Sequence, residues 1–483
     1  MSDEQIPQPP VATEVPLSFE PISKSIRPSF IIILVLFALL IGAADIIALL
    51  SQHRLDLADR NNEITKSFLT QLAEGNVAFT DSGTPIFPDE QKFLDAKQNL
   101  VEQKKDFIEA DLSAMELTLY QEGVATRTFM VLGIGKEGSW WETPTGSYSA
   151  IVKEENHYSS IGKVWMPWSI QFYGNFFIHG WPYHNDGTFV PKGYSGGCIR
   201  LSTDDAKVLY ENVTAGMPII VREFPKATDY GTADVSGGSA PAVAADAFLV
   251  SELVSGKTLL GKNKESVLPV SSLSKLMTAV VASELVYLER TTLVKKEQLT
   301  ASVVNFDPQV GDRYIAFDLL YPLLMQSSDQ SANILAGFLG NKKFVTSMNQ
   351  KSVSIGMNDT HFADPSGKSI ENTSSSDDML KLLKYIYFKR RFLFDVSKGE
   401  SYRTYSGLHT TELTNFSQFA SDTRLVGLTT GTSTPADRNL ASVWEFSSPS
   451  GPVPVAVIVL GSGSAVSDTK ALVGWVEKNV EFK

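Results

Sequence analysis

The sequence predicts a multidomain chain with an N-terminal transmembrane helix, a mostly-β domain and a further domain behind a linker. Three observations lead to this order. An apolar run occupies residues 30–50, apolar and polar residues alternate with a period of two from Ile108, and glycine, serine and alanine accumulate between residues 224 and 244. A chain of 483 residues is long enough for about three domains.

The composition limits the classes of ligand that the chain can bind. The formal net charge is -12, and no long stripe of lysine and arginine is present that could neutralise phosphates. The six histidines are dispersed without the spacing of metal ligands, and the single cysteine cannot form an internal disulfide bond. We therefore expect no nucleic-acid partner, no metal and no cofactor.

The apolar run at residues 30–50 has the length of a membrane-spanning helix. It contains one charged residue, Asp45, and as a helix it would be about 31 Å long. The proline-rich residues 1–29 before it predict a disordered cytoplasmic tail. We expect a single-pass anchor in the cell membrane, with the later domains outside the cytoplasm.

Two other interpretations of this run remain open. The small residues Gly42-Ala43-Ala44 could be the cleavage site of a signal peptide, and a buried hairpin helix is a further alternative. The basic residues His53, Arg54 and Arg60 after the run also weaken the charge argument for its orientation.

Residues 51–105 predict a helical stalk, because apolar residues recur at helical spacing in residues 55–72 and 89–107. From residue 106 to 223 the alternation predicts sheet strands, and residues 170–173 and 176–179 predict a hairpin around Gly174-Asn175. Farther along, Ser202 and Asp205 have the spacing of a capping box, and residues 217–221 predict a closing strand.

The only cysteine, Cys198, lies in a segment typical of a catalytic nucleophile. Gly196 and Gly197 allow backbone N–H groups to approach a substrate carbonyl, and Arg200 can hold a carboxylate. His179 ends a predicted buried strand and could remove the thiol proton. A lone cysteine or histidine is more often structural, but this combination favours catalysis.

This segment resembles the L,D-transpeptidases of the bacterial cell wall, which have a YkuD-like fold. The matching residues are His179-Gly180, Ser195-Gly196-Gly197-Cys198-Ile199-Arg200 and the upstream turn Thr143-Pro144-Thr145-Gly146. Gly196 stands where many members have a histidine. His157 and His184 are rival bases, of which His184 fits better at the substrate entrance.

The resemblance implies a role for each residue of the motif. Cys198 attacks a stem-peptide carbonyl and forms a thioester, while His179 serves first as base and then as acid. The N–H groups of Gly197 and Cys198 are the expected oxyanion donors, Ser195 supports the loop, and Arg200 orients a carboxylate.

A second constellation lies in the last domain, residues 245–483. Ser272 precedes Lys275 by three positions at a predicted helix start, so both side chains face the same way and the amine can take the hydroxyl proton. The surroundings resemble the D-alanyl-D-alanine carboxypeptidases, which are low-mass penicillin-binding proteins with an α/β, β-lactamase-like serine peptidase fold. The segments that carry this resemblance are Gln326-Ser327-Ser328-Asp329, Ala363-Asp364-Pro365-Ser366-Gly367 and Gly427-Leu428-Thr429-Thr430-Gly431-Thr432.

This domain departs from the family pattern at two positions. Asp329 stands where the family has asparagine, and Thr429 stands where it has the lysine that precedes Thr430 and Gly431. Asp329 would add a negative charge near Lys275 and keep its amine protonated, and Thr429 would remove a cation that holds the substrate carboxylate. A strict Ser-x-Asn exists at Ser331-Ala332-Asn333, but the flanking residues favour Ser327 as the register.

The resemblances together predict a membrane-anchored enzyme that acts on peptidoglycan stem peptides. The first site would cross-link tetrapeptide stems, and the second, with Ser272, Lys275 and Ser327 as catalytic residues, would trim pentapeptide stems. A non-catalytic domain that binds stem peptides is the alternative for residues 245–483. A purely structural wall anchor, with an unreactive Cys198, is a third hypothesis.

Overall fold

The computed structural model describes residues 88–224, 230–300, 306–399, 401–405, 410–415, 417–419, 421–430 and 438–483. The described residues all belong to one compact unit, Val77–Lys483. The predicted tail, the predicted anchor at residues 30–50 and the first helix of the predicted stalk lie outside them. No helix in the described part of the chain combines the length and the apolar character that crossing a bilayer requires.

The second predicted stalk helix is present but ends early. Helix α1 covers Pro88–Glu102, and Phe107 already begins strand β1 (Phe107–Asp111). The helix stops because Lys104 adopts a left-handed conformation with φ of 52°, and the N–H of Lys105 turns back to the carbonyl of Leu100. Helical spacing of apolar residues continues past this point, which is why the sequence predicted a longer helix.

The first domain is mostly β, as predicted. Its further elements are β2 (Glu116–Gln121), β3 (Val124–Met130), β4 (Gly146–Ser149), β5 (Val152–Ser159), β6 (Val164–Tyr173), β7 (Phe176–His179), β8 (Ile199–Arg200), α2 (Thr203–Asn212) and β9 (Pro218–Arg222). They form a five-stranded sheet in the order β3-β2-β1-β9-β4 and a four-stranded sheet in the order β5-β6-β7-β8. The buried core draws on both sheets and on α2. The β6–β7 hairpin and the Ser202 cap of α2 confirm the local predictions.

The second domain is α/β, with one main sheet. Its strands are β10 (Ala233–Val235), β11 (Ala247–Glu252), β12 (Thr258–Lys262), β13 (Leu268–Pro269), β14 (Thr291–Leu293), β15 (Arg313–Ile315), β16 (Thr373–Ser374), β17 (Ser401–Tyr405), β18 (Thr410–Thr414), β19 (Leu425–Thr430), β20 (Leu440–Ser448), β21 (Gly451–Leu460) and β22 (Val480–Phe482). The main sheet has the order β12-β11-β21-β20-β19, and its strands pair antiparallel.

Helices cover this sheet and build the rest of the second domain. They are α3 (Ser274–Leu285), α4 (Leu320–Met325), α5 (Asp329–Gly337), α6 (Asn341–Ser354), α7 (Ser376–Lys389), α8 (Phe392–Lys398) and α9 (Ala465–Asn479). Helices α7 and α9 pack on β21, and α3 is buried along almost its whole length. A short 3-10 turn, Ser271–Leu273, leads into α3 and contacts β19. This turn therefore brings the start of α3 to the edge of the sheet.

The predicted linker, residues 224–244, contains structure that its composition did not indicate. Strand β10 pairs with the C-terminal strand β22, and Ala233 is buried. Three paired residues are too few to produce a visible alternation in sequence.

Buried charges join the two domains. Lys389, at the end of α7, forms ion pairs with Glu142 and Glu223 of the first domain at 2.8 and 2.5 Å. The neighbouring Arg390 donates to the carbonyl oxygen of Glu142 at 3.1 Å and pairs with Glu284 at 2.9 Å. Breaking such pairs would leave buried charges without compensation, so these contacts fix the orientation of the domains.

Candidate active sites

The pairing of β7 with β8 brings the predicted cysteine-site residues together. The two strands run parallel, and His179 is directly opposite Arg200. Cys198 lies two positions before Arg200, and its side chain packs against Phe177, which lies two positions before His179. Because side chains two positions apart share a face of a strand, Cys198, His179 and Arg200 face the same side of the sheet.

Hydrogen bonds fix the backbone on both sides of the cysteine. The Ser195 hydroxyl donates to the carbonyl oxygen of Cys198 at 2.5 Å and accepts the N–H of Gly197 at 3.0 Å. The Thr143 hydroxyl donates to the carbonyl oxygen of Gly197 at 2.9 Å and accepts the N–H of Gly135 at the same distance. Ser195 thus supports the loop as predicted, and Thr143 supports it from the other side.

The expected oxyanion donors need a correction. The N–H of Gly197 is not free in this conformation, because it already donates to the Ser195 hydroxyl. The described residues provide no acceptor for the N–H of Cys198, which remains the available donor. Gly196 is exposed, and a Cβ built on it meets nothing within 4 Å, so the fold does not require glycine at this position.

The cysteine and the histidine are both held in neutral forms. Burial raises the pKa of the Cys198 thiol to about 11, and the thiol donates to the carbonyl oxygen of Asn175 at 3.8 Å. Burial lowers the pKa of His179 to about 4, although its contact with the Gly180 carbonyl opposes this shift. Nδ1 of His179 lies 2.6 Å from that carbonyl oxygen, so Nδ1 carries the proton and Nε2 keeps a free lone pair.

Among the contacts of the described residues, no hydrogen bond joins Cys198 to His179. The site is therefore a neutral thiol beside a neutral imidazole, and proton transfer between them requires the sulfur to leave the Asn175 carbonyl. A histidine acting as general base during attack fits this arrangement better than a preformed thiolate does.

Arg200 has an almost unpaired guanidinium group. Its Nη1 donates to the carbonyl oxygen of Gly193 at 3.3 Å, and the group lies over the Trp181 ring at 5.6 Å. Its buried Nε has no partner in the described part of the chain, and burial lowers its pKa. Such a group has the charge and the free donor to take a substrate carboxylate, and this role of Arg200 stays a prediction.

The rival bases take other positions. The ring of His157 stacks on that of Phe177 at 4.5 Å, and its Nδ1 lies 3.0 Å from Glu154. His184 is exposed in the loop that follows β7. Neither residue forms a hydrogen bond to the Cys198 sulfur in the described contacts.

The second predicted site also assembles. Nζ of Lys275 donates to Oγ of Ser272 at 3.1 Å and to the carbonyl oxygen of Ser366 at 2.5 Å. The same ammonium lies 2.8 Å from Oδ1 of Asp329. The serine and the lysine therefore share one face at the start of α3, and Asp329 is in direct contact with the amine.

Burial and the Asp329 carboxylate shift the pKa of Lys275 in opposite directions. Burial is the larger influence and lowers the pKa of Lys275, while the Asp329 charge raises it only in part. The expected influence of Asp329, which favours the protonated amine, is therefore present, and burial outweighs it. A lysine with a lowered pKa is suited to remove the Ser272 proton.

The structure describes most of the remaining motif residues. The contact of Asp329 with Lys275 supports the Ser327 register, because the hydroxyl of Ser331 is occupied by the carbonyl of Leu319. Ser327 is buried and has φ of 55°.

Thr429 and Thr430 lie in β19, which contacts the turn that carries Ser272, whereas Gly431 lies outside the described residues. The hydroxyls of Ser327 and Thr429 are buried without a partner in the described part of the chain.

Known proteins match both domains. Residues 105–221 match the family model of the L,D-transpeptidase catalytic domain, YkuD, and residues 234–463 match that of D-alanyl-D-alanine carboxypeptidase, Peptidase S11. The chain therefore contains one domain that matches the L,D-transpeptidase model and one that matches the D-alanyl-D-alanine carboxypeptidase model. The second match begins within β10, in agreement with the pairing of that strand inside the carboxypeptidase domain.

Individual relatives resemble one domain at a time. A D-alanyl-D-alanine endopeptidase of Escherichia coli is 32% identical over 160 residues, which are 32% of this chain and 50% of that protein. The putative L,D-transpeptidase YkuD of Bacillus subtilis is 30% identical over 114 residues, which are 24% of this chain and 64% of that protein. The chain thus spans about half the length of the curated endopeptidase it matches.

A solved structure resembles the carboxypeptidase part. The D-alanyl-D-alanine carboxypeptidase of Mycobacterium tuberculosis H37Rv is 22% identical, with a TM-score of 0.45, and the match covers 51% of this chain and 96% of that one.

Two residues of the transpeptidase site were not singled out from the sequence. Thr143 was noted only as part of a similar turn, yet its hydroxyl holds the carbonyl of Gly197. Asn175 was assigned only to a hairpin turn, yet its carbonyl oxygen accepts the thiol of Cys198. The position of Asn175 in a tight turn just before the histidine strand was the one available signal.

The carboxypeptidase site contains a network around Asp364 that sequence reasoning also missed. Its carboxylate accepts the N–H groups of Ser366, Gly367 and Ser369, each at 2.7 Å. A carboxylate with several N–H donors keeps a lowered pKa, as Asp364 does. In the described part of the chain, no group of histidine, cysteine, aspartate and glutamate side chains could hold a metal ion.

Proposed function

We propose that this chain cross-links tetrapeptide stems of peptidoglycan through Cys198 and trims pentapeptide stems through Ser272. The observation that carries the first activity is the β7–β8 pairing, which puts His179 opposite Arg200 and on the face of Cys198. A nucleophile, a base with a free lone pair and a guanidinium with unused donors then share one surface. The first two perform acyl transfer, and the third can hold a substrate carboxylate.

The transpeptidase reaction begins when the thiol leaves the Asn175 carbonyl and transfers its proton to Nε2 of His179. The sulfur attacks the carbonyl of the L-centre of the third residue, and the N–H of Cys198 donates to the developing oxyanion. The imidazolium returns the proton to the amine of the leaving D-alanine, and a thioester remains on Cys198. An amine of a neighbouring stem attacks the thioester, loses its proton to His179, and releases the thiol.

The support for the second activity is the Ser272–Lys275 dyad with its 3.1 Å hydrogen bond and the lowered pKa of the lysine. The Ser272 hydroxyl attacks the carbonyl between the terminal D-alanines and gives its proton to Lys275. Lys275 returns this proton to the amine of the terminal D-alanine, which leaves, and water hydrolyses the remaining ester. Removal of one D-alanine yields the tetrapeptide donor of the first reaction, and the physical link between the domains raises its local concentration.

A non-catalytic stem-peptide binding domain is the second candidate for residues 245–483. Two substitutions favour this candidate, because each replaces a residue that the family uses. Asp329 replaces an asparagine and contacts Lys275, and Thr429 replaces a lysine. The intact dyad opposes it.

We also propose that the chain is anchored in the cell membrane through residues 30–50, with both domains outside the cytoplasm. The support is the length and apolar character of that run. Protease treatment of spheroplasts, which keep an intact cytoplasmic membrane, tests the arrangement: the two domains should be degraded, and protection until the membrane is lysed would contradict it.

Mass spectrometry of muropeptides tests both activities. The full chain is incubated with tetrapeptide or pentapeptide muropeptides beside Cys198→Ala and Ser272→Ala variants. We expect cross-linked tetrapeptide that disappears only in Cys198→Ala, and loss of one D-alanine from pentapeptide that disappears only in Ser272→Ala. Intact pentapeptide with normal cross-linking would instead support the binding domain, and no change in either substrate would contradict the transpeptidase assignment.

A further inference from the structure

Compared with the family that it resembles, the carboxypeptidase site has one cation fewer and one anion more. Thr429 contributes no charge where the resembling family has lysine, and Asp329 adds a carboxylate. A peptide that ends in D-alanine brings its own C-terminal carboxylate, which a site with this balance would repel. A further cation near Ser272 is needed if such a peptide is to bind.

The loop at residues 364–369 presses against the turn that carries Ser272. Gly367 has φ of +83°, and a Cβ on it would lie 2.1 Å from the carbonyl oxygen of Ser271 and 2.8 Å from the backbone nitrogen of Ser272. Only glycine allows this approach, and the N–H groups held by Asp364 keep the loop in place. The next residue, Lys368, therefore starts from a backbone that touches the nucleophile's turn.

The side chain of Lys368 extends to the site. Its Nζ lies 3.5 Å from Oδ2 of Asp329, whose other oxygen contacts Lys275. Among the described residues, Lys275 and Lys368 are the two that form ion pairs with this carboxylate. The Lys275 side chain has no exposed surface, whereas that of Lys368 is 51% exposed. Lys368 is consequently the ammonium that a ligand arriving from solvent can reach.

We propose that Lys368 binds the C-terminal carboxylate of the D-alanyl-D-alanine peptide and replaces the cation missing at Thr429. The inference rests on the proposed function of the second site, for either trimming or binding. In the described part of the chain, the hydroxyls of Ser327 and Thr429 are also buried without a partner. Asp329 keeps the ammonium directed toward the site until the substrate carboxylate competes for it.

Binding of two peptides that differ only at their C-terminus tests this role. The full chain carrying Ser272→Ala, which cannot turn over, is titrated with an N-acylated peptide ending in D-Ala-D-Ala and with its C-terminal amide. Lys368→Met should weaken binding of the free acid by roughly 10- to 100-fold and leave the amide unchanged, because one charge-assisted contact is lost. Lys368→Arg should restore most of the preference for the acid.

Lys264→Met is the matched control, because Lys264 is also a partly exposed lysine in an ion pair, with Asp377. It should bind both peptides as the parent does. An unchanged preference for the acid in Lys368→Met would overturn the proposal, and so would a parent that binds neither peptide or binds both equally. Melting temperatures of all variants show whether each is folded.

Acylation separates failure of this proposal from failure of the proposed activity. The full chain with an intact Ser272 is incubated with a β-lactam or with the pentapeptide, and acylation of Ser272 is measured. If Ser272 is never acylated while binding still depends on Lys368, trimming is wrong and the role of Lys368 stands. If Ser272 is acylated but Lys368→Met keeps the full preference for the free acid, the trimming function stands and Lys368 does not hold the carboxylate.

Discussion

The carbonyl oxygen of Asn175 accepts the thiol of Cys198 at 3.8 Å. The side-chain amide of the same asparagine donates to the carbonyl oxygen of Leu285 at 3.4 Å, at the end of α3 in the carboxypeptidase domain. Helix α3 begins two residues after Ser272 and carries Lys275 in its first turn. The turn that holds the resting cysteine is thus in contact with the helix that carries the second site.

The resting state of Cys198 predicts how its reactivity changes with pH. Since burial raises the thiol pKa to about 11, the thiolate fraction should grow roughly tenfold for each pH unit across the neutral and mildly alkaline range. The rate of alkylation of the native chain by a small uncharged reagent measures this dependence. A rate that is already flat from pH 6 to pH 8 would indicate a preformed thiolate and contradict the neutral pair.

His179 predicts a loss of stability in acid. Its folded pKa of about 4 is below the ordinary value of 6.5, so its burial as a neutral group contributes stability above pH 6.5. That contribution is lost as the pH falls from 6.5 toward 4, because the unfolded chain binds the proton first. Urea unfolding should show that His179→Gln loses less stability than the parent between pH 7 and pH 4.5. Equal losses of unfolding free energy in the parent and in His179→Gln would contradict the lowered pKa of His179.

Two adjacent glycines should respond differently to alanine. Gly197 has φ of +103°, and a Cβ would lie 2.3 Å from Cε1 of Phe176, whereas Gly196 has open space around it. Gly197→Ala should lower the free energy of unfolding by roughly 2–4 kcal/mol through strain and overpacking. Gly196→Ala should leave it nearly unchanged. Denaturant unfolding measures both, and similar effects of the two variants would contradict the loop geometry.

Thr143→Val tests the support of the cysteine loop. The hydroxyl bridges the carbonyl of Gly197 and the N–H of Gly135, so its loss leaves two buried backbone groups without a partner. We expect a cost of about 1–3 kcal/mol in unfolding free energy and a clear loss of cross-linking activity. Thr258→Val, at an exposed position of β12, is the control and should change neither. Full activity in Thr143→Val would show that the loop needs no such support.

Lys389→Ala tests whether the transpeptidase site depends on the second domain. The change leaves Glu142, next to Thr143, buried without its ion pair, which should cost about 3–5 kcal/mol and lower cross-linking activity. The exposed Lys343 of α6 provides the control variant Lys343→Ala. Unfolding and muropeptide cross-linking are measured for both. Normal cross-linking by a destabilised Lys389→Ala would show that the cysteine loop is independent of the domain contact.

Asp329→Asn tests the electrostatics of the serine site. The Asp329 charge raises the pKa of Lys275 against the effect of burial, so its removal should lower that pKa further. More of the amine is then neutral at a given pH, and the acid limb of Ser272 acylation by a β-lactam should move to lower pH. If the acid limb of the acylation rate moved to higher pH in Asp329→Asn, this would contradict the assignment of Lys275 as the base.

Short contiguous motifs made much of both sites predictable from the sequence. His179 was predicted at the end of a strand that faces the cysteine loop, and the pairing of β7 with β8 has this result. The parallel pairing itself, which puts His179 opposite Arg200, was not predicted. Ser272 and Lys275 lie one helical turn apart, where geometry is fixed by the helix itself.

The features that the sequence did not reveal depend on contacts between distant segments. The N–H of Gly197 is occupied because Ser195 turns its hydroxyl back, and Lys368 reaches the serine site through a loop held by Asp364. The pairing of β10 with β22 joins segments from opposite ends of the second domain. Periodicity reports which face of an element is buried, but it carries no information about which distant segment covers that face.

The most direct test of the account is the identity of the acylated residue. The full chain is mixed with a tetrapeptide donor without acceptor, quenched in acid, and analysed by intact-mass and peptide-mapping mass spectrometry. The account predicts a tripeptide acyl group on Cys198, present in Ser272→Ala and absent in Cys198→Ala. An adduct on Ser272 instead, or an unmodified Cys198 while the tetrapeptide is consumed, would contradict it.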